Sequence, residues 1–165
     1  MHKNGFTLIE LLVSISILLL LTVLGLTSMF SFNNRQHIIQ AEEMVAEAVY
    51  RAQSLARSGK MGGCNQLDGY QIEFRINNPT GLINIQAICA GAEIGETETI
   101  DLPSNVNFAS TITVQVQAEN GILDNDLDRD TQTIEYFELT LTGDYDQDYS
   151  FELSKEGKLE NGSWS

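Results

Sequence analysis

The stretch that decides the fold is Gly5-Phe6-Thr7-Leu8-Ile9-Glu10-Leu11-Leu12-Val13, which opens a long apolar run ending at Phe32. Residues 11–34 contain no charged side chain. At ~1.5 Å per residue they form a helix of ~36 Å, which is long enough to cross a ~30 Å hydrocarbon core once. A carboxylate at Glu10, near the start of this run, is costly in a membrane unless a cation meets it. The stretch therefore predicts one membrane-spanning helix whose charge needs a partner, on this chain or on a neighbouring one.

The same nine residues resemble the processing motif of type IV prepilins and type II secretion pseudopilins. In that family a membrane aspartic peptidase removes a short basic leader after the glycine, and the new N-terminal residue is N-methylated. The resemblance implies cleavage between Gly5 and Phe6 and methylation of Phe6. It also implies that Glu10 pairs with the N-terminal ammonium of an adjacent subunit during assembly. The implied partners are prepilin peptidase, the membrane and other pilins or pseudopilins.

Two plainer explanations of this N terminus remain open. A secretory signal peptide also begins with basic residues, but its apolar segment of about 7–15 residues ends in a small-residue cleavage site. Here the apolar run is longer, and Leu26-Thr27-Ser28 is a poor cleavage site. A simple membrane anchor would explain the run but would leave Phe6 and Glu10 without a role.

The resemblance and the apolar pattern together divide the chain into four parts. These are a leader (1–5), a transmembrane helix (6–32), an amphipathic continuation of that helix (33–58) and a β-rich extracytoplasmic head (59–165). Basic His2 and Lys3 stay in the cytoplasm by the positive-inside rule. We therefore expect a single-pass protein of the cytoplasmic membrane that joins a cell-surface pilus or secretion filament after assembly.

The periodicity of the remaining sequence changes once. Apolar residues recur at three- and four-residue steps from Arg35 to Ser58, as in a helix with one buried face, and Gly59 ends that pattern. Beyond Cys64 apolar and polar residues alternate, as in strands, over 70–76, 82–89, 111–117, 133–141 and 149–155, with a short last strand near Leu159. The prediction is an α+β fold in which a long N-terminal helix packs on a small antiparallel β-sheet head, as in type IV pilins.

Two further stretches, 41–59 and 151–162, resemble the H-type minor pseudopilins and their minor-pilin relatives. This likeness implies a minor structural subunit, and it leaves another minor pilin or a major pilin open. It also admits a DNA-uptake minor pilin as an alternative function.

Charge is distributed unevenly along the chain. The net charge is −14; residues 1–92 carry six acidic and six basic side chains, whereas residues 93–165 carry 17 acidic and three basic ones. Nucleic-acid binding relies on Lys and Arg that neutralise phosphates, so this head argues against nucleic acid as a partner. No phosphate-binding loop, H-E-x-x-H or G-x-S-x-G motif occurs in the sequence, and we do not expect an enzyme.

Cys64 and Cys89 are the two cysteines of the sequence. An even number of cysteines in an oxidising compartment favours a disulfide, so we predict a Cys64–Cys89 bridge in the head.

An Asp-rich stretch predicts a candidate metal site. Asp124, Asp126, Asp128, Asp130 and Glu135 fall at positions 1, 3, 5, 7 and 12 of an EF-hand-like spacing. Arg129 replaces the glycine that an EF-hand needs at position 6, and a strand pattern follows, so an unrelated calcium loop or a solvated acidic turn are the alternatives. Asp144, Asp146 and Asp148 could supply further ligands. With calcium bound, the chain would be an acidic calcium- or ligand-binding module on a simple anchor, the second alternative function.

Calcium should raise the melting temperature of residues 35–165 at millimolar concentration, because a bound divalent ion relieves carboxylate repulsion and stabilises the native state by mass action. Magnesium should do so less, since its small octahedral shell suits a flexible all-oxygen loop poorly. Asp126→Asn with Asp128→Asn should abolish the difference. Equal melting temperatures in calcium and in chelator would leave the stretch as a solvated turn.

Overall fold

The computed structural model describes residues 7–59, 66–118, 120–124, 136–144 and 148–165, with the backbone alone at 24–28, 30 and 31. The chain divides into two compact units, 1–34 and 35–165. The helix α1 is followed by β-strands: α1 Leu8–Arg57, β1 Gly69–Arg75, β2 Leu82–Cys89, β3 Ala92–Asp101, β4 Asn107–Phe108, β5 Ile112–Gln117, β6 Leu123–Asp124, β7 Tyr136–Thr142, β8 Asp148–Ser154 and β9 Leu159–Trp164. The predicted α+β class, with a long N-terminal helix before antiparallel strands, is confirmed.

Helix α1 ends where the sequence predicts. Gly59 has φ +62° and donates its N–H to the carbonyl oxygen of Ala56 at 3.2 Å. Glycine adopts this left-handed conformation without a Cβ penalty, which makes it the usual residue just after a helix. At the other end of the chain, the sequence predicts a membrane span over 6–32; across the described ranges, no helix has both the length and the apolar content that a bilayer crossing requires.

The strands form two antiparallel sheets. Sheet A has the order β3-β2-β1-β5-β6, and sheet B has the order β4-β7-β8-β9. The β1–β2 hairpin is the predicted one, with Gly69 opposite Ile88 and Arg75 opposite Leu82. Strand β3 does not alternate in burial because it lies at the edge of sheet A and is exposed over most of its length. Strands β4 and β6 have two residues each, too few to show a period.

One hydrophobic core joins both sheets to the part of α1 that lies in the second unit. The helix contributes residues that are at most 1% exposed: Ile38, Ala41, Val45, Ala48, Val49, Ala52 and Ala56. Four of these seven are alanines. Between the sheets, the rings of Phe74 and Phe108 lie 5.5 Å apart, a distance at which tilted aromatic pairs attract. The head therefore shares one core between α1 and both sheets.

Aromatic and polar contacts also join α1 to sheet B. The Arg35 guanidinium lies over the Trp164 ring, 5.2 Å from its centroid, and the Tyr149 ring lies 4.8 Å from that of Trp164. Burial, together with the Glu42 carboxylate that accepts the Tyr149 hydroxyl, raises the pKa of Tyr149. The last strand is thus held against the helix by a cation–π contact and aromatic packing.

Gln53 is the polar residue of α1 that ties the helix to two turns. It is 6% exposed, and its Nε2 donates to the carbonyl oxygens of Gly121 and Glu156 at 3.0 and 2.9 Å. These carbonyls lie beside β6 and in the β8–β9 turn, so one side-chain amide connects sheet A and sheet B to the helix. Removing a buried donor leaves such acceptors unsatisfied.

Gln53→Met should lower the free energy of unfolding by about 1–3 kcal/mol, because methionine fills a similar volume but donates no hydrogen bond. The measurement is chemical denaturation of residues 35–165 followed by circular dichroism. Gln40→Met is the matched control, since Gln40 lies on the exposed side of the same helix. Equal destabilisation by both substitutions would contradict this role for Gln53.

Candidate assembly site at the start of the helix

Thr7 and Glu10 form a capping box at the N terminus of α1. The Thr7 N–H and the Thr7 hydroxyl both donate to Oε2 of Glu10, at 2.9 and 2.8 Å, and the Glu10 N–H donates back to Oγ1 of Thr7 at 3.4 Å. In this arrangement a threonine just before the helix and a glutamate three residues later satisfy each other's N–H groups. The carboxylate that the sequence leaves without a partner is therefore held within its own chain.

The hydrogen bonds from Thr7 reach one of the two carboxylate oxygens of Glu10. Both Thr7 donors reach Oε2, and among the described residues no donor reaches Oε1. Glu10 is also exposed. The fixed carboxylate thus presents one oxygen to whatever lies beside the helix.

The side chains around Glu10 form an exposed apolar surface. Every large apolar side chain from Leu8 to Val23 is between 48% and 82% exposed. The hydroxyls in this segment bond within the helix: Ser14 to the Glu10 carbonyl, Ser16 to the Leu12 carbonyl and Thr22 to the Leu18 carbonyl, at 2.6–2.9 Å. A hydroxyl that bonds to the carbonyl four residues earlier needs no water. The segment is therefore suited to an apolar environment, with Glu10 as its charged group.

The sequence predictions for this site have different outcomes. Glu10 lies where the helix begins, whereas Gly5 and Phe6 fall outside the described residues. Thr7 was missed as a site residue, although the Thr7-x-x-Glu10 spacing is the sequence signature of a capping box. That signal precedes an apolar run here and could have identified Thr7.

The candidate metal residues are largely outside the described part of the chain. Four of the predicted ligands, Asp126, Asp128, Asp130 and Glu135, are outside the described residues. Asp146 of the second acidic turn is also outside them. Asp124 ends β6 and accepts a hydrogen bond from Nε2 of Gln117 at 3.0 Å. Asp144 accepts one from Nδ2 of Asn105 at 2.8 Å, and Asp148 begins β8. Calcium binding stays a prediction.

The structure describes one of the two cysteines of the predicted disulfide. Cys89 is 2% exposed and ends β2, whereas Cys64 lies outside the described residues. The Cys64–Cys89 bridge stays a prediction.

His37 is the one histidine within the described residues. Its Nδ1 lies 3.3 Å from the carbonyl oxygen of Ser104, which joins α1 to the loop between β3 and β4. A single histidine bonded to backbone gives no catalytic arrangement.

Comparisons with known proteins bear on the N terminus alone. The family model of the prokaryotic N-terminal methylation motif matches residues 1–26. No curated protein and no solved structure matches the chain. The match covers the predicted leader, the predicted cleavage site, the capping box and the exposed apolar segment from Leu8 to Val23. The motif points to a structural subunit. Residues 1–26 therefore carry the prokaryotic N-terminal methylation motif, the signature of type IV pilins and pseudopilins.

Proposed function

We propose that the chain is a minor structural subunit of a type IV pilus or a pilus-like type II secretion filament. Prepilin peptidase cleaves it between Gly5 and Phe6, Phe6 is N-methylated, and the subunit enters the filament through its N-terminal helix. The observation that carries the proposal is the methylation motif at residues 1–26, which contains Glu10 within an exposed apolar segment. The minor, H-type part of the proposal rests on the likenesses over 41–59 and 151–162.

The exposed apolar segment supports assembly by the helix. Apolar area costs ~25 cal/mol per Å² in water, so a row of large side chains such as Leu8 to Val23 is unstable there. Lipid covers these side chains in the cytoplasmic membrane before assembly, and the helices of neighbouring subunits cover them in the filament. The head, residues 35–165, has its own core and stays outside the membrane in both states.

Glu10 supplies the specific contact in this proposal. Cleavage before Phe6 creates an ammonium, and the Glu10 Oε1 is the acceptor that Thr7 leaves open. A neighbouring subunit that brings its ammonium to this oxygen pairs two charges in an apolar setting, where an unpaired carboxylate is costly. A subunit whose axial position differs leaves both charges unpaired, so the pair also selects the register between subunits.

The alternative functions are less well supported. A DNA-uptake minor pilin needs a basic surface, whereas residues 93–165 carry 17 acidic and three basic side chains. An acidic ligand-binding module on a simple anchor explains the head but gives no role to the methylation motif at residues 1–26. A shift assay with DNA tests the first alternative, and the processing experiment below tests the second.

Co-expression with a prepilin peptidase should shorten the chain by Met1 to Gly5 and add one methyl group to Phe6. Intact-mass measurement of the membrane-extracted protein checks both changes at once. Gly5→Leu should block both, because the peptidase needs a small residue before the cut. A mature chain that begins near Met29 would instead identify an ordinary signal peptide and contradict the pilin proposal.

Glu10→Gln should reduce filament incorporation about tenfold or more while leaving the helix and its membrane insertion intact. Glutamine keeps the capping box but removes the charge that pairs with the neighbour's ammonium, and a loss of ~1.4 kcal/mol in the contact already gives a factor of ten. Glu10→Ala removes both the capping side chain and its charge, and it should reduce filament incorporation at least as much as Glu10→Gln does. The measurement is the ratio of filament-bound to membrane-bound subunit.

Thr7 provides the control for this experiment. Thr7→Val keeps the shape and the backbone N–H but loses the hydroxyl bond to Oε2, whereas Thr7→Ser keeps both donors. Valine should reduce incorporation moderately, and serine should restore it. Normal incorporation of Glu10→Gln together with failure of Glu10→Ala would assign Glu10 to capping alone and remove its proposed role in pairing.

A further inference from the structure

Trp164, the one tryptophan of the sequence, lies against the first charged residue after the apolar run. Its side chain is 39% exposed, and the Arg35 guanidinium lies over its ring at 5.2 Å from the centroid. Residues 11–34 carry no charge, so the apolar run has ended when the chain reaches Arg35, the first residue of the second unit. The last strand of the head therefore brings an aromatic ring to the place where the chain enters that unit.

The pairing of β8 with β9 holds Trp164 in this position. A register shift interrupts that pairing, and Asn161 has φ +55° there, as in a β-bulge that re-aims the side chains after it. Trp164 then stands directly opposite Tyr149, with the two rings 4.8 Å apart. A Cβ at Gly162 would overlap the Tyr149 hydroxyl, so this arrangement requires glycine. Trp164 is thus fixed beside the core, with part of its ring open to the surroundings.

Among the residues that the structure describes, Arg35 has no carboxylate within ion-pair distance. The ion pair found in that part of the chain joins Arg51 to Glu98 at 3.0 Å. A cation–π contact occupies no hydrogen-bond donor, so the guanidinium keeps its N–H groups for an acceptor. Arg35 is therefore available to an anion from outside the chain, although the head as a whole is strongly acidic.

Helical geometry sets Arg35 at the level of lipid headgroups when the apolar run crosses a bilayer. Arg35 lies ~36 Å beyond Leu11 at ~1.5 Å per residue. The hydrocarbon core is ~30 Å thick, and the headgroup layers extend the bilayer to ~40–45 Å. Tryptophan is enriched at this level because its ring is apolar and its N–H is a donor, and arginine binds phosphate through two parallel hydrogen bonds.

We propose that Trp164 and Arg35 form a lipid-binding patch, with the indole among the phospholipid headgroups and the guanidinium on a lipid phosphate. The patch holds one end of the head against the membrane before assembly. The acidic excess of residues 93–165 is repelled by anionic lipid, which confines the contact to this end. The proposal rests on membrane insertion of the N-terminal helix, as in the proposed function, and does not depend on filament assembly.

The fluorescence of Trp164 tests the patch directly, because it reports a single position in the full chain. The chain is reconstituted into vesicles of phosphatidylcholine and phosphatidylglycerol. A spin label on the lipid headgroup should quench Trp164 about twofold more than a spin label near the end of the acyl chain, as expected for an interfacial indole.

The matched control moves the tryptophan along the helix. Trp164→Phe with Tyr50→Trp places the indole ~22 Å beyond Arg35 on α1. Tyr50 is 73% exposed, so the new indole lies on the surface as well. Neither spin label should quench it. Equal headgroup quenching at both positions would show general adsorption of the head and overturn the patch.

Substitutions of arginine test the phosphate contact. Arg35→Gln should reduce headgroup quenching of Trp164 about twofold, because the charge-assisted bonds to phosphate are lost. Arg35→Lys keeps a cation and should quench as the unchanged chain does. Arg51→Gln removes the same charge farther along the helix and should have no effect. Equal effects of Arg35→Gln and Arg51→Gln would remove the role of Arg35.

Vesicle flotation separates the two levels of the argument. A chain that floats with the vesicles while Trp164 is quenched by neither label would overturn the patch and leave the proposed function standing. A chain that does not float would overturn both. Trp164 that stays open to iodide in vesicles and becomes protected only in filaments would assign its ring to a contact between subunits, which also overturns the lipid patch.

Discussion

The exposed apolar half of α1 is the constraint on which the rest of the molecule depends. From Leu8 to Val23 the large apolar side chains remain between 48% and 82% exposed, and their burial requires atoms from outside the chain. The core of the head is completed by residues 38–56 of the same helix. One helix therefore has two separate tasks: its second half completes a folded domain, and its first half remains available to lipid or to other subunits.

The capping box changes how the charge of Glu10 is understood. From the sequence, the carboxylate appears as an isolated cost in an apolar segment that only a cation can offset. In the structure, Thr7 already donates two hydrogen bonds to one of its oxygens, which lowers that cost before any neighbour arrives. The capped helix still retains an acceptor, the second oxygen of Glu10. In the assembly proposed above, a pair between this oxygen and a neighbour's ammonium adds selectivity to a carboxylate that Thr7 already holds in part.

The sequence was sufficient for features that depend on local patterns. The fold class, the end of α1 at Gly59 and the β1–β2 hairpin follow from a change of period and from turn residues. The sequence was insufficient for features that depend on pairing between strands distant in the chain. The division into two sheets depends on which strands meet, and β3 lacks a pattern because it is an exposed edge. The hydrogen bonds of Asn84 to Glu73 and of Gln71 to Glu93 form only because the β1–β2–β3 register brings these residues together. Thr7 is different, since its signature was present in the sequence and was overlooked.

The first half of α1 and the outer faces of the sheets present different kinds of chemical group. Apolar contacts along the first half of α1 are non-directional, so many kinds of apolar surface can cover them. The outer faces of the sheets carry directional groups instead. Their carboxylates contribute little to folding, because exposed charges are well solvated, and each face tolerates different charges without loss of the core. Charge can therefore vary on the outer faces of the strands at small cost in stability, whereas the uncovered apolar surface of the helix gains free energy when it is buried.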